Sequence, residues 1–215
     1  MTPSSRRKKI LFVGASGAVA SRIIPFLAET YDVVGISRKR DDMKTHCVDF
    51  YIGDLLTEHE HLFITIFALH AFDAIVWNAV RYFPQEVLRA SRETLHTEFD
   101  LGVALPLECL RTALEYRSLS GSEKLIFVCM TSGLAFGVKP SWGSYSIVKR
   151  GQVILAEYLA QESCEHVSAR AIALGAVPDT PDSILQDVIA QALESSDDTK
   201  VLYTVTGRGA ECKII

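Results

Sequence analysis

Short apolar runs alternate with longer amphipathic segments along most of the chain. The apolar runs are rich in Val, Ile and Phe, a composition typical of strands that are buried on both faces of a sheet. Seven runs are therefore predicted as strands: Lys9–Val13, Asp32–Ile36, Cys47–Ile52, Ala74–Trp77, Lys124–Met130, Val167–Ala173 and Val201–Val205.

The segments between these runs carry apolar residues at steps of three and four, the spacing of a helix with one buried face. The clearest of them are Ala18–Thr30, Phe99–Tyr116, Ser144–Glu162 and Ser183–Glu194. This alternation predicts an α/β fold: a Rossmann-like, doubly wound and mostly parallel seven-stranded sheet with helices on both faces. We expect one domain over residues 9–207, a basic N-terminal tail over 1–8 and a C-terminal tail over 208–215.

Composition narrows the classes of protein. The 215-residue chain is 48% apolar and 22% charged, which excludes a largely disordered protein. Its net charge is −4, without a concentrated basic face, so we expect no nucleic-acid partner. The apolar runs are far shorter than a membrane span, so no membrane partner is expected.

The basic run at residues 6–9 precedes an apolar stretch, as in a signal peptide. Gly14 and Gly17 interrupt that stretch, and a helical pattern continues beyond it, so we favour a cytoplasmic protein over an exported one. The five cysteines are odd in number and widely spaced, which fits a reducing compartment. They form no cluster with histidines at ligand spacing, and no metal site is predicted.

The first predicted strand runs into a turn of small residues, Gly14, Ser16, Gly17, Ala18 and Val19. Small side chains let the backbone approach a pyrophosphate, and the helix that follows directs free N–H groups and its positive end at the anion. A glycine-rich turn also occurs as a plain strand-to-helix link. Its place after the first strand favours a dinucleotide site.

The second predicted strand is followed by Ser37, Arg38 and Lys39, without a carboxylate. Sites that prefer NAD commonly have an acidic residue there, which bonds the ribose 2′-hydroxyl. An arginine instead suits a 2′-phosphate, because its planar fork binds phosphate oxygens in pairs. The pattern favours NADP(H); the alternative is a solvated cluster of loop charges.

Three residues suggest acid/base chemistry. Tyr145 and Lys149 are four residues apart, which places them on one face of a helix, and Ser132 precedes Tyr145 by thirteen residues, just after a predicted strand. An ammonium beside a phenol favours the phenolate, so the tyrosine could exchange a proton near neutral pH. A serine hydroxyl at the strand end could hold the reacting oxygen.

These pieces together resemble the short-chain dehydrogenase/reductase family, from Lys9 to about Val205. The matching motifs, in chain order, are the glycine turn, Gly53-Asp54-Leu55, Asn78-Ala79, Phe99-Asp100, Ser132, Tyr145-Ser-Ile-Val-Lys149 and Gly175. Any one of these motifs is weak evidence. Their order is what makes the resemblance strong.

The resemblance implies a role for each matching residue. Tyr145 would be the general acid/base, Ser132 would orient the substrate carbonyl or hydroxyl, and Lys149 would bond the nicotinamide ribose and lower the pKa of Tyr145. Asp54 would meet the adenine ring and Thr180 the nicotinamide carboxamide. The remaining cofactor contacts implied are Leu55, Asn78, Ala79, Gly175 and Val177.

Two departures from the family pattern affect the chemistry. Many members have an asparagine in the helix after strand four, which relays protons through water to the lysine, and here Gly102 stands at that position. Water alone could complete the relay, turnover could be slow, or the chemistry could be unusual. The segment between Thr180 and the next helix is short, which suggests an open site, a large or carrier-tethered substrate, or a partner that completes the pocket.

Aromatic, aliphatic or basic side chains at strand ends are expected near the substrate. The alternative is that they belong to the core or to an interface. They are Arg81, Tyr82, Phe83, Leu134, Phe136, Trp142 and Val177.

The leading functional hypothesis is an NADP(H)-dependent oxidoreductase that reduces a ketone to an alcohol, or the reverse. The alternatives are an epimerase or dehydratase of the same fold, which the spacing of the glycine turn favours, and a catalytically weak NADP(H)-binding sensor or scaffold. The family further implies a homodimer or homotetramer that pairs through helices at Leu101–Tyr116 and Tyr145–Gln161.

Overall fold

A single twisted sheet forms the centre of the computed structural model, which describes residues 6–39, 42–117, 124–162, 165–206 and 209–213. The strands are β1 (Lys9–Val13), β2 (Asp32–Ser37), β3 (Asp49–Ile52), β4 (Ala74–Trp77), β5 (Leu125–Ser132), β6 (Val167–Leu174), β7 (Leu202–Thr206) and β8 (Gly209–Lys213). Their order is β3-β2-β1-β4-β5-β6-β7-β8. The first seven strands are parallel, as predicted.

The chain termini differ from the predicted tails. Strand β8 is antiparallel to β7, so most of the segment expected to be a C-terminal tail extends the sheet. Near the other end, the Arg6 guanidinium pairs with Asp73 at 2.8 Å and that of Arg7 donates to the Ala28 carbonyl at 2.8 Å. The predicted tail residues 1–5 and 214–215 lie outside the described residues.

Helices cover both faces of the sheet. They are α1 (Ala20–Thr30), α2 (Leu55–Leu69), α3 (Arg92–Phe99), α4 (Leu105–Tyr116), α5 (Gly143–Glu162) and α6 (Asp182–Glu194). One core cluster joins α2 and α4 to the sheet, and a second joins α1 and α6 to it. Helix α5 packs on β5 and β6.

The division between the two core clusters follows from the alternation of side chains along a strand. In β1, Leu11 and Val13 belong to the cluster of α2 and α4, whereas Ile10 and Phe12 belong to the cluster of α1 and α6. All four side chains are fully buried. Burial on both faces explains why this strand is a continuous apolar run.

A wide helical turn separates α3 from α4, where the sequence pattern predicted one helix over Phe99–Tyr116. Residues Asp100–Ala104 form a π-helical turn that contains Gly102. The buried indole of Trp77, at the end of β4, donates to the Leu101 carbonyl at 2.9 Å. This bond anchors the turn to the sheet.

The order in which successive strands join the sheet reverses between β1 and β4. From β1 the chain adds β2 and β3 on one side, and β4 then pairs with the other side of β1. Side chains that follow β1 and β4 therefore face a crevice at the carboxyl ends of the strands, where ligands of doubly wound sheets bind. Among the helices of the described residues, none is long and apolar enough to cross a membrane.

Candidate functional site

The turn between β1 and α1 has the backbone that a phosphate-binding turn requires. Gly14 has φ +84°, and a Cβ there would lie 2.6 Å from the backbone nitrogen of Ala79. Gly17 has φ +121°, and a Cβ there would meet no atom within 4 Å. The first glycine thus permits close packing against the residues after β4, and the second leaves open space at the start of α1. No side chain caps that helix end, at Val19.

The residues after β4 are held against this turn. The Asn78 backbone N–H donates to the Val13 carbonyl at 2.8 Å, and its side-chain amide donates to the Gly14 carbonyl at 2.9 Å. Asn78 therefore fixes the wall of the crevice opposite α1. This positions the Asn78-Ala79 step beside the glycine turn.

A cavity of about 300 Å³ lies above these two turns. Twelve residues expected to bind the cofactor line it: Gly14, Ser16, Gly17, Ala18, Val19, Ser37, Arg38, Asp54, Leu55, Asn78, Ala79 and Val177. Small residues, an unblocked helix start and one arginine suit a dinucleotide with its phosphates at the glycine turn. We call this cavity the cofactor trough.

The three residues after the second apolar run have different surroundings. The buried Ser37 hydroxyl forms a hydrogen bond with the Ser16 hydroxyl, which joins the end of β2 to the glycine turn. Arg38 is exposed and lines the trough. Lys39 is also exposed but is not among the lining residues, so only one of the two predicted cations faces the cofactor trough.

Asp54 has a structural partner besides its place in the trough. Its side chain accepts a hydrogen bond from the Leu56 N–H at 3.1 Å and so caps α2. Its own backbone N–H donates to the Glu58 carboxylate at 2.7 Å. The reciprocal cap fixes the Gly53-Asp54-Leu55 step beside the trough.

A second cavity, of about 610 Å³, continues from the trough and shares Val19, Asn78, Val80 and Val177 with it. Its lining brings together Ser132, Tyr145 and Lys149 with Gly175 and Leu134. Ser132 ends β5, whereas Tyr145 and Lys149 lie in the first turns of α5. The three residues proposed for catalysis therefore meet in one cavity, which we call the reaction pocket.

Within the reaction pocket the Lys149 ammonium lies 5.4 Å from the centre of the Tyr145 ring. Tyr145 forms a hydrogen bond with the Ser132 hydroxyl. The Ser132 oxygen also accepts from the Leu134 N–H at 3.2 Å, and the Thr131 hydroxyl donates to the Lys149 carbonyl at 2.8 Å. Helix α5 is thus tied to the end of β5 at the level of the three side chains.

The titration of Tyr145 differs from the expectation. Burial raises the pKa of Tyr145 above its usual value near 10, the hydrogen bond with Ser132 lowers it in part, and the charges of Tyr82 and Glu98 raise it further. Lys149, which was expected to lower the pKa of Tyr145, is not among the groups that shift it. Burial lowers the pKa of Lys149 itself to about 8, partly offset by the charge interaction with Cys129.

Aromatic rings wall the reaction pocket. Tyr82 and Trp142 stack with ring centres 3.9 Å apart, and each meets Tyr145 edge-on at 5.4 Å. The Gln85 N–H donates to the Ser141 carbonyl at 3.1 Å, which joins the segment after β4 to the segment before α5. Trp142 and Tyr145 line the pocket, and Tyr82 packs behind them.

Two charged residues at or near the reaction pocket were not among the residues predicted from the sequence. The Lys139 ammonium lies 4.8 Å from the Trp142 ring and lines the reaction pocket. Glu98 in α3 is 2% exposed and accepts from the Phe83 N–H at 3.1 Å. Neither sits at a strand end or in a recognisable motif, so only the tertiary fold brings them to the site.

The segment after β6 is held by an arginine of α1. The Arg22 guanidinium donates to the Val177 carbonyl at 2.6 Å and to the Thr180 carbonyl, and it pairs with Asp182. Thr180 is buried, its hydroxyl donates to the Ala176 carbonyl at 3.1 Å, and it lines neither cavity. The expected contact of Thr180 with the nicotinamide is therefore not prepared in this conformation, whereas Gly175 and Val177 line the pocket.

The architecture has close counterparts among solved structures. A short-chain dehydrogenase from Streptomyces avermitilis matches with a TM-score of 0.81 and 19% identity, over 95% of this chain and 90% of that one. The chain has the fold of the short-chain dehydrogenases. Acetoin dehydrogenase from Enterobacter cloacae matches with a TM-score of 0.82 and 17% identity, over 95% and 96% of the two chains.

A third counterpart is a 3-oxoacyl-[acyl-carrier protein] reductase from Brucella melitensis in complex with NAD, with a TM-score of 0.74 and 17% identity over 95% of this chain and 97% of that one. At such identities the likeness establishes the fold and not the activity. No protein-family model matches the sequence, and no curated protein does.

Proposed function

We propose that this protein is a member of the short-chain dehydrogenase/reductase family that reduces a ketone to an alcohol with NADPH, or catalyses the reverse reaction. One observation carries the proposal: Ser132, Tyr145 and Lys149 line a pocket that continues into a trough of dinucleotide character. A cofactor with its phosphates at the glycine turn would extend its nicotinamide toward Tyr145.

Tyr145 is suited to donate a proton. Because burial raises the pKa of its phenol, Tyr145 keeps its proton at neutral pH and can pass it to a carbonyl oxygen as that oxygen gains charge. The bound cofactor supplies the hydride, which goes to the carbonyl carbon. Ser132 can hold the same oxygen by its hydroxyl, and the charged Lys149 favours the phenolate that remains.

The choice of NADP(H) rests on Arg38. It is the one cation among the residues that line the trough, and neither Ser37, at the end of β2, nor Lys39 carries a carboxylate. A guanidinium there can bind a 2′-phosphate in a paired geometry. The similar Brucella structure holds NAD, so the cofactor needs its own test.

The substrate class follows from the pocket. Its volume is about 610 Å³, its walls are largely apolar and aromatic, and Lys139 is the cation at its edge besides Lys149. We propose a bulky or carrier-tethered ketone, since a small polar substrate would leave most of this wall without contacts. One similar structure is a reductase of carrier-bound 3-oxoacyl groups, which makes such ketones a natural part of the substrate panel.

Transfer of deuterium tests the proposed reaction. The protein is incubated with NADPH carrying deuterium at C4 of the nicotinamide, in separate samples for the two faces, and with a panel of free and carrier-tethered ketones. We expect an alcohol with one deuterium on the carbinol carbon from one face of the cofactor only. Alcohol without deuterium from either face contradicts hydride transfer, and product inverted at a stereocentre without net redox change supports the epimerase alternative.

A further inference from the structure

The buried ammonium of Lys149 has two acceptors in the fold. It donates to the Met130 carbonyl at 2.9 Å and to Oε1 of Gln152 at 2.9 Å. Lys149 is 3% exposed and Gln152 is fully buried. A lysine has three N–H donors, so one of them remains for the reaction pocket that Lys149 lines.

The orientation of the Gln152 amide follows from its partner. An ammonium only donates hydrogen bonds, so the amide oxygen and not the nitrogen must face Lys149. The amide nitrogen is buried and has no hydrogen-bond partner among the described residues. It points toward the π-helical turn, where a Cβ on Gly102 would lie 3.8 Å from it.

Gly102 itself cannot be given a side chain without cost. A Cβ there would lie 2.1 Å from Cγ1 of Val148, which is 7% exposed and held in α5. The family resemblance implies an asparagine at this position. The packing of Val148 leaves no space for its side chain. The amide group nearest to Lys149 comes from α5 instead, three residues further along the same helix.

We propose that Gln152 is a positioning residue that replaces the asparagine missing at position 102 and holds the Lys149 ammonium toward the reaction pocket. Its catalytic consequence rests on the proposed function, whereas the positioning itself does not. Gly102, Val148 and Gln152 form one set, because the glycine accommodates the valine and the glutamine supplies the amide. The family relay through water is thus replaced in part by a direct hydrogen bond.

The effect of the Gln152 hydrogen bond on Lys149 can be measured as a change in the pKa of the ammonium. Burial lowers the pKa of Lys149 to about 8, so the ammonium titrates in an accessible range. The groups around it are Cys129 on β5, whose pKa burial raises to about 12, and Tyr145 on its own helix; Glu98 of α3 and Tyr82 act on Tyr145. Because burial raises the pKa values of Cys129 and Tyr145, both groups keep their protons near pH 8.

The test is an NMR titration of Lys149 in the cofactor-free protein, with ¹³C-labelled lysine and a Lys149→Arg variant for assignment. In Gln152→Met the acceptor is lost at nearly constant volume, and we expect the titration midpoint to fall by about one pH unit, the size of a hydrogen bond to a charged group. In Gln152→Glu a carboxylate takes the place of the amide oxygen, and the midpoint is expected to rise. Val153→Ala, in the neighbouring core cluster, serves as the control and should leave the midpoint in place.

The opposite signs separate positioning from a structural role. General loosening of α5 would let water reach Lys149 in both Gln152 variants and move both midpoints upward. The proposal is overturned if the midpoint in Gln152→Met is unchanged or rises, or if Gln152→Glu does not raise it. Should Gln152→Met fail to fold, Gln152→Leu, which also lacks the acceptor, takes its place with the same expected fall of the midpoint.

An activity arm connects this result to catalysis. With a ketone that the wild-type protein reduces, Gln152→Met should lose about five-fold in kcat at pH 8 and little near pH 6, since fewer molecules carry the charged lysine at the higher pH. A defect equal at both pH values overturns the catalytic part. Absence of any turnover in the wild type contradicts the proposed function, while the NMR titration still decides the role of Gln152.

Discussion

At the scale of single residues, the state of Tyr145 follows from a balance between burial and polar partners. Burial raises the pKa of its phenol, and one hydrogen bond with Ser132 offsets only part of that rise. Lys149 lies 5.4 Å from the ring centre, and its ammonium is bonded to Met130 and Gln152. Tyr145 thus keeps its proton at neutral pH, a state that fits the proposed reduction of a carbonyl better than oxidation of an alcohol.

Replacement of Arg38 tests the cofactor at the same scale. We expect Arg38→Ala to weaken NADPH binding about ten-fold and to leave NADH binding nearly unchanged, because only NADPH carries the 2′-phosphate that a guanidinium can bind. Fluorescence titration of each cofactor measures both constants. Lys39→Ala, on a neighbouring residue outside the trough, is the matched control. Tighter binding of NADH than of NADPH by the wild type would contradict the assignment.

Gly14 is the residue of the site with the strictest backbone requirement. With φ +84° and the Ala79 nitrogen 2.6 Å from an added Cβ, Gly14→Ala should lower the free energy of unfolding by about 1–3 kcal/mol and weaken NADPH binding. Gly137 has an extended backbone and open surroundings, so Gly137→Ala should change stability by under about 0.5 kcal/mol. Urea unfolding compares the two. Equal effects of both substitutions would show that the tight turn is not required.

Residues set by local spacing could be predicted from the sequence, and residues set by tertiary contact could not. Tyr145 and Lys149 share a helix face because they are four apart, and Ser132 ends the preceding strand. Gln152 lies three residues from Lys149 on the same helix, but its link to the missing side chain at Gly102 depends on a contact between two elements that no local spacing indicates. Lys39 and Thr180 were expected in the site by position along the chain, but neither lines a cavity.

At the scale of elements, α1 does more than begin at the glycine turn. Its Arg22 side chain is 22% exposed and connects the helix to the segment between β6 and α6 through two carbonyls and Asp182. These partners lie about 160 positions away in sequence, and no local pattern indicates them. The short segment between β6 and α6 is therefore held in place by α1, the helix that begins at the cofactor trough.

Loss of this arginine should loosen the segment without disturbing the three residues proposed for catalysis. In Arg22→Met we expect faster amide hydrogen exchange over residues 177–181 and a several-fold weaker affinity for NADPH, since Val177 lines the trough. Arg111→Met, on an exposed position of α4, is the control. Unchanged exchange over 177–181 would mean that Arg22 does not hold the segment.

Strands and helices could be predicted from the sequence where burial produces a regular pattern of apolar residues. Strands β1 and β4 have the predicted bounds because both are apolar throughout. Strand β8, with the sequence Gly-Ala-Glu-Cys-Lys, lacks an apolar run and forms by pairing with the edge of β7. The π-helical turn at Asp100–Ala104 depends on the indole of Trp77, a contact that helical periodicity does not record.

At the scale of the whole molecule, exposed apolar side chains on α4 and α5 support the expected oligomer. They are Leu107, Tyr116, Ile147, Ile154 and Tyr158, between 40% and 62% exposed. The family resemblance implied pairing through these two helices. We propose a homodimer or homotetramer in which these helices pack against a second copy.

Light scattering after size exclusion tests the assembly. We expect the wild type to exceed the mass of one chain and Ile154→Glu combined with Tyr158→Glu to reduce it, because burying two carboxylates in an apolar contact is costly. Leu88 is fully exposed outside these helices, so Leu88→Glu is the control. A wild-type protein that elutes as a monomer at all concentrations would contradict the oligomer.

The central claim is that Tyr145 transfers the proton during reduction of a ketone by NADPH. Its most direct test compares NADPH oxidation by wild-type protein and Tyr145→Phe, on the best ketone of the panel, with the NADPH dissociation constant measured for both. We expect the turnover number of Tyr145→Phe to fall by about 10²–10⁴ while its NADPH dissociation constant stays nearly unchanged. Turnover that persists in Tyr145→Phe, or a wild type that binds NADPH without Tyr145-dependent turnover of any ketone, would contradict it.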